Sequence, residues 1–196
     1  MYESMKRSVL MSCFYFSMVM LSACGGNEEE VIYDEKQDDF ISRVDYDEFS
    51  KELVDLENKI LSQTPPDENL LIEATTKFQD FAGYFPEDPK APEYLLKASD
   101  YAYTLQQYEK SVKILDRIIT EYPQYNRMED VMFNKASHLD FELRDTTLAK
   151  EAYQQFMEKF PQSDLVDDAQ SRIENIEYSA EELIEKYMKE MDSKPQ

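Results

Sequence analysis

The sequence predicts an all-α fold, a short α-solenoid of antiparallel helix pairs with a long C-terminal helix. Nine apolar or small positions recur at a constant offset of 38 residues. Tyr94, Ala98, Tyr101, Leu105, Ser111, Leu115, Ile118, Tyr122 and Pro123 return as Met132, Ala136, Leu139, Leu143, Ala149, Tyr153, Phe156, Phe160 and Pro161. Half of the unit stands one step earlier, at an offset of 37, as Ala74, Phe78, Phe81, Phe85 and Pro86. Strand-like alternation is absent, and Gly83 is the sole glycine beyond Gly26. A fixed period of this length marks helical units that bury their apolar faces by stacking on neighbours.

The elements follow in order. Phe49, Leu53, Leu56 and Ile60 step by four, three and four, which places them on one face of a first helix. Thr64-Pro65-Pro66 breaks it, and Asp67-Glu68 opens a second helix that runs to about Phe85. Two complete helix pairs are expected at about 90–122 and 127–160, each closed by an aromatic residue and a proline. Proline cannot continue the helix and biases its predecessor away from helical angles, so it sets the turn between units. Ser163-Asp164 is positioned to cap the last helix. Ala169, Ile173, Ile176 and Ala180 continue the first-helix stripe 37 residues after Met132, Ala136, Leu139 and Leu143. No second proline-closed helix follows, and one helix is expected to run on to about Met191. The repeat domain thus covers residues 45–178, and residues 179–196 extend the C-terminal helix and form the tail.

Three segments carry a recognisable pattern: Ala74-x3-Phe78-x7-Pro86, Ser111-x3-Leu115-x7-Pro123 and Ala149-x3-Tyr153-x7-Pro161. They resemble the second helix of tetratricopeptide repeats, in which a small residue permits close helix approach, a large one fills the core and proline ends the unit. Ala98 and Ala136 stand where the first helix needs its small residue; the usual tryptophan is absent and the period exceeds 34. Tyr108 to Pro123 looks most like the repeats of envelope proteins. These are the lipoprotein subunit of the outer-membrane β-barrel assembly machine and the tol-pal-associated periplasmic repeat protein. The resemblance covers roughly residues 67–177, and this chain has fewer units than the assembly-machine lipoprotein.

At the N-terminus, Lys6 and Arg7 precede an apolar run from Val9 to Met20, too short to span a bilayer as a helix. The run ends in Leu21-Ser22-Ala23-Cys24, which resembles the lipobox of bacterial lipoproteins. That resemblance implies a signal peptide over residues 1–23 and lipidation of Cys24. Cys13 would leave with the signal, so no intramolecular disulfide could form in the mature chain. Gly25-Gly26-Asn27 and the acidic stretch from Glu28 read as a tether over residues 24–44, including the lipidated cysteine. In the lipoprotein family, Gly25 rather than Asp after the cysteine implies the outer membrane. Glu28-Glu29-Glu30 resembles the acidic export tag of surface lipoproteins, and a plain charged spacer explains it equally well.

The formal charge of −21 falls to −22 once Glu3, Lys6 and Arg7 are removed. So acidic a body is repelled by nucleic acid and by anionic headgroups, leaving the lipid anchor as the membrane attachment. No cofactor is expected. With His138 as the only histidine and no free thiol after lipidation, neither a catalytic triad nor a multi-His/Cys metal centre can be assembled. Asp164, Asp167 and Asp168 cluster at a helix start, where the helix dipole accounts for them without a metal. The 38-residue offset maps His138 onto Asp100 and Lys135 onto Lys97, beside the apolar stripe. Lys97, Asp100, Lys135 and His138 therefore form a polar strip that either lines a peptide groove or is a solvated face. Tyr94 and Tyr101 belong to the packed stripe, whereas Tyr103 and Tyr108 are freer for a binding surface. Leu183, Tyr187 and Met191 extend the last stripe, either projecting to meet a partner helix or folding back as a cap.

These readings converge on a non-enzymatic adaptor, lipid-anchored at the outer membrane on its periplasmic side, that binds a protein or peptide partner. What the resemblance implies is a part in envelope or outer-membrane protein assembly. A surface-exposed lipoprotein is the second reading. A carboxylate-dependent all-helical enzyme is the competitor of a different class.

Overall fold

The computed structural model describes residues 44–192. The signal sequence, Cys24 and nearly all of the acidic tether lie outside the described residues. Among the described residues eight α-helices follow one another: α1 (Tyr46–Leu61), α2 (Glu68–Tyr84), α3 (Ala91–Thr104), α4 (Tyr108–Glu121), α5 (Met128–Ser137), α6 (Thr146–Lys159), α7 (Val166–Asn175) and α8 (Ala180–Asp192). A π-helical turn, His138–Glu142, continues α5. From α1 to α7 each helix packs on its neighbours in sequence, as a stack of helix pairs requires, while α8 makes few contacts with the others. Among the described residues no helix is long and apolar enough to cross a membrane.

The helices begin and end where local chemistry dictates. Asp45 caps α1 by accepting from the Glu48 N–H at 2.8 Å, and Asp67 caps α2 by accepting from Asn69 and Leu70. At the other end, the three aromatic–proline closures adopt one conformation. Phe85, Tyr122 and Phe160 have φ/ψ of −129/59, −127/56 and −125/60. The same pair of hydrogen bonds follows each: Asp88 N–H to Phe85 and Ala91 N–H to Asp88, then Tyr125 to Tyr122 and Met128 to Tyr125, then Ser163 to Phe160 and Val166 to Ser163. The repeat is thus built into the backbone as well as the side chains.

Packing follows the predicted stripes. Ala74, Ser111 and Ala149 are fully buried and let paired helices approach, while Phe78, Leu115 and Tyr153, one turn on, fill the space between them. Phe78 and Phe81 reach Tyr94 of the next unit at 4.9 and 4.7 Å between centroids, and Phe133 meets Phe156 at 5.3 Å. Truncating one such ring to alanine costs about 3–5 kcal/mol. Tyr94 is buried and Tyr101 half-buried against Phe78, as the stripe requires.

The structure corrects the register of the first helices. Ala91 and Met128 open their helices through equivalent bonds 37 residues apart, as do Tyr94 (to Lys90) and Val131 (to Arg127). At the far end, Leu105 N–H donates to Tyr101, whereas Leu143 N–H donates to His138. The acceptors are 37 apart and the donors 38, so the π turn absorbs the extra residue. Beyond it, Gln106 and Arg144 match at 38, both with positive φ (58° and 55°) in the turns that join the paired helices. His138 consequently replaces Tyr101 of the packed stripe and not Asp100, and Lys135 stands at the place of Ala98.

Two further expectations change. Ser163 holds its turn by accepting from the Leu165 N–H at 3.0 Å, and α7 starts at Val166 without a side-chain cap. The expected single helix to Met191 is divided at residues 176–179. Ser179 and Glu182 form a reciprocal capping box, Glu182 N–H donating to Ser179 Oγ and Ser179 N–H to Glu182 Oε2, which starts α8 afresh.

Candidate functional site

The candidate residues on α3–α5 and the π turn separate into two groups. Lys97 and Lys135 hold helices together. Lys97 Nζ lies 2.7 Å from Glu57 on α1, 3.5 Å from Glu93 and 5.7 Å above the Tyr94 ring. Lys135 Nζ lies 2.6 Å from Asp116 on α4. Each is half-buried, so its alkyl stem packs while its charge bridges two helices. Asp100 is exposed on α3, its carboxyl pushed up by the protein packed around it, with Arg127 opposing that shift.

Tyr103, Tyr108 and His138 come together instead. Tyr103 stacks on the His138 ring at 4.4 Å and 23° and meets Tyr108 edge-on at 5.4 Å. Its hydroxyl donates to Glu142 Oε1 at 2.7 Å, and that bond raises the phenol above its ordinary value. Tyr108 is raised by partial burial and by Glu142. The π turn makes this meeting possible, because it carries both His138 and Glu142 to the α3–α4 turn of the preceding unit. Tyr103 remains 37% exposed, so the patch faces solvent.

Beneath the patch runs a short polar chain. His138 Nδ1 is 3.1 Å from Ser111 Oγ, which is 3.0 Å from Ser99 Oγ, and both serines are fully buried. Burial lowers the imidazole below its ordinary value, with Glu142 pulling it back, so the ring is neutral near pH 7. The Ser111–His138 contact has the residue types of a nucleophile and base, but Ser111 is sealed between helices where no substrate atom reaches it. What the patch offers is two aromatic faces, an imidazole and a carboxylate. Such a surface accepts hydrogen bonds, stacks on planar groups and holds a cation over a ring.

Sequence reasoning missed Asp140, the one fully buried carboxylate among the described residues (2% exposed). Arg172 of α7 donates to its Oδ2 at 2.7 Å and lies 4.3 Å from the Phe141 ring centroid, while Tyr153 donates to the same oxygen at 3.4 Å. This set anchors α7 to the preceding unit. Its signal was visible as Asp140 in a helix interior, but the 38-residue register paired it with Ala102 and hid the π turn that aims it inward. Asp167 and Asp168 are exposed in the first turn of α7, where the helix dipole accounts for them.

Leu183 and Tyr187 lie on α8, apart from this patch. Leu183 is half-buried, and the Tyr187 hydroxyl accepts from Asn175 Nδ2 at 3.4 Å while the ring is 47% exposed.

Residues 93–125 and 130–163 match the tetratricopeptide repeat family. The two matched segments contain Lys97, Asp100, Tyr103 and Tyr108 in the first and Lys135 and His138 in the second. Repeats of this family mediate protein–protein interaction. No curated protein matches the chain.

Proposed function

We propose that the chain is a lipid-anchored helical-repeat adaptor, acylated at Cys24 and held at the bacterial outer membrane on its periplasmic side. There it binds a protein or peptide partner in envelope or outer-membrane protein assembly. The Tyr103–Tyr108–His138–Glu142 patch carries this reading. Tyr103 is exposed and the other three are half-buried, the patch spans two successive repeats, and it is supported from below by a buried polar chain that fixes the imidazole. A rigid aromatic surface of this kind supplies contact area at small entropic cost, which is what interface anchors do. Protein binding itself has the support of the two matched repeats. The anchor and location rest on the resemblance of Leu21-Ser22-Ala23-Cys24 to a lipobox and on Gly25 after it.

Photo-crosslinking from position 108 in the native membrane, with the captured protein identified by mass, tests the binding surface. Tyr103→Ala and His138→Ala are expected to reduce capture at least about tenfold, while Asp164→Ala leaves it unchanged. Equal capture by all three variants refutes the patch. Cys24→Ser is expected to release the chain from the membrane fraction. Protease cleavage on intact cells would replace the periplasmic side with the surface reading.

A further inference from the structure

α8 carries an apolar stripe that the described residues leave largely exposed. Ile184, Tyr187, Met188 and Met191 are 61, 47, 58 and 69% exposed. Their spacing of i, i+3, i+4 and i+7 puts them on one helix face. The helix is held by polar contacts with Asn175: Lys186 Nζ donates to its Oδ1 at 2.9 Å and lies 5.0 Å above the Tyr178 ring, and the Tyr187 hydroxyl accepts from its Nδ2 at 3.4 Å while the ring stays half exposed. The repeat does not close here. Lys186 and Glu190 stand 37 residues after Ala149 and Tyr153, so a long cation and a carboxylate occupy the places of the small residue and the core ring. α8 is accordingly not docked as a second helix of the repeat, and among the described residues its apolar face stays open.

From this we infer that α8 is a docking helix for a cationic amphipathic helix of a protein partner. The period of the stripe selects a helix, because an i, i+3, i+4, i+7 ridge packs against the ridges of another helix. Two of its four residues are methionines, whose flexible thioethers adapt to a partner's side chains. Charge selects the sign. Residues 174–192 hold seven carboxylates against two lysines. Lys189 is committed to Glu185 at 2.6 Å and Lys186 to Asn175, while Glu177 pairs with Lys150 and Glu182 caps α8, so the segment keeps a net formal charge of −5 from its seven carboxylates and two lysines. A second copy would bring two such acidic ends together in a chain already at −21, whereas lysines or arginines flanking a partner's apolar face meet the carboxylates. The inference rests on the adaptor reading but not on the Tyr103 patch.

The test uses the full chain and fluorescent synthetic helices. One has a leucine/isoleucine face flanked by lysines, a second has the same face flanked by glutamates, and a third has lysines with a glutamine face. The first is expected to bind, with the other two at least about tenfold weaker. The double variant Ile184→Ser/Met188→Gln is expected to lose at least about tenfold of that affinity with an unchanged thermal midpoint, and Tyr103→Ala is expected to lose none. No binding of the first helix, equal binding by the double variant, or equal binding of the glutamate-flanked helix overturns the inference. A dimer in sedimentation that the double variant abolishes also overturns it, by giving the stripe to a second copy. Loss of membrane capture by Tyr103→Ala bears on the patch alone, so the two readings fail separately.

Discussion

Tyr122→Phe is expected to stabilise this protein. Tyr122 closes the second unit at the position held by Phe85 in the first and Phe160 in the third, with nearly the same backbone angles in all three. Its ring does what those phenylalanines do, but its hydroxyl is buried with no hydrogen-bond partner among the described residues. Burial accordingly raises the phenol above its ordinary value. An unmet buried polar group costs about 1–3 kcal/mol. The void left by a single oxygen returns a few tenths of a kcal/mol of that. The net expectation is a gain of about 1 kcal/mol, or about 2–4 °C in thermal midpoint for a body of this size. Urea denaturation followed by circular dichroism measures it, with the slope of the transition unchanged. Tyr153→Phe is the control. That hydroxyl is also buried, yet it lies 3.4 Å from Asp140 and 3.5 Å from Ser137, so its removal is expected to cost about 1 kcal/mol. If Tyr122→Phe lowers stability as much as Tyr153→Phe does, the hydroxyl is satisfied and the reasoning fails.

Two further predictions concern the polar interior. Arg172→Met strands the Asp140 carboxylate in the core and is expected to cost about 3 kcal/mol, the lower end for a broken buried pair because Arg172 is partly exposed. Asp140→Leu/Arg172→Met is expected to recover most of that loss in urea denaturation, and a double variant no better than the single would show that the pair contributes packing alone. His138, the only histidine, gives one assignable imidazole signal, and its NMR titration midpoint is expected below the ordinary 6.5. A depressed folded-state value means that the unfolded chain binds the proton more tightly. The stability His138 contributes is therefore complete above pH 6.5 and is lost as the pH falls through the folded midpoint. His138→Gln is expected to flatten that part of the stability curve, and a midpoint at or above 6.5 would contradict the burial argument.

The fold was legible because its decisive residues act locally or recur. Phe85-Pro86, Tyr122-Pro123 and Phe160-Pro161 each force the same turn, and Ala74, Ser111 and Ala149 each admit the same close approach, so three copies of one pattern reinforce each other. Of the candidate site, the sequence sets Tyr103 and Tyr108 apart as freer for a surface and places His138 in a separate strip with Lys97, Asp100 and Lys135, whereas the structure brings His138 to the two tyrosines and has Lys97 and Lys135 bridge helices. That distinction depends on which helix supplies the opposing carboxylate, Glu57 or Asp116, and spacing within one helix carries no such information. The capping box Ser179-x-x-Glu182 is present in the sequence, but the apolar stripe runs unbroken through it and masks the helix break. Periodicity alone does not reveal a break that leaves the stripe in phase.

The extra residue of the third unit accounts for most of what the constant period hides. At a constant offset of 38, His138 falls on exposed Asp100 and Asp140 on buried Ala102, and neither assignment predicts a contact. The extra residue is not spread along the helix but concentrated in one π turn, where Leu143 N–H reaches five residues back to His138. That widened turn has two consequences on opposite sides. On one side, it sets His138 over the buried Ser111 and against Tyr103 and brings Glu142 to the Tyr103 hydroxyl, which creates the patch. Inward, it delivers Asp140 to Arg172 and Tyr153, which ties the next helix down. The second unit lacks the insertion, and there Tyr101 simply packs on Phe78. One added residue thus lets the third unit complete, with Tyr103 and Tyr108 of the second, a surface that neither forms alone, and anchor α7 as well. π turns of this kind often mark functional sites for that reason, since they re-aim side chains without ending the helix.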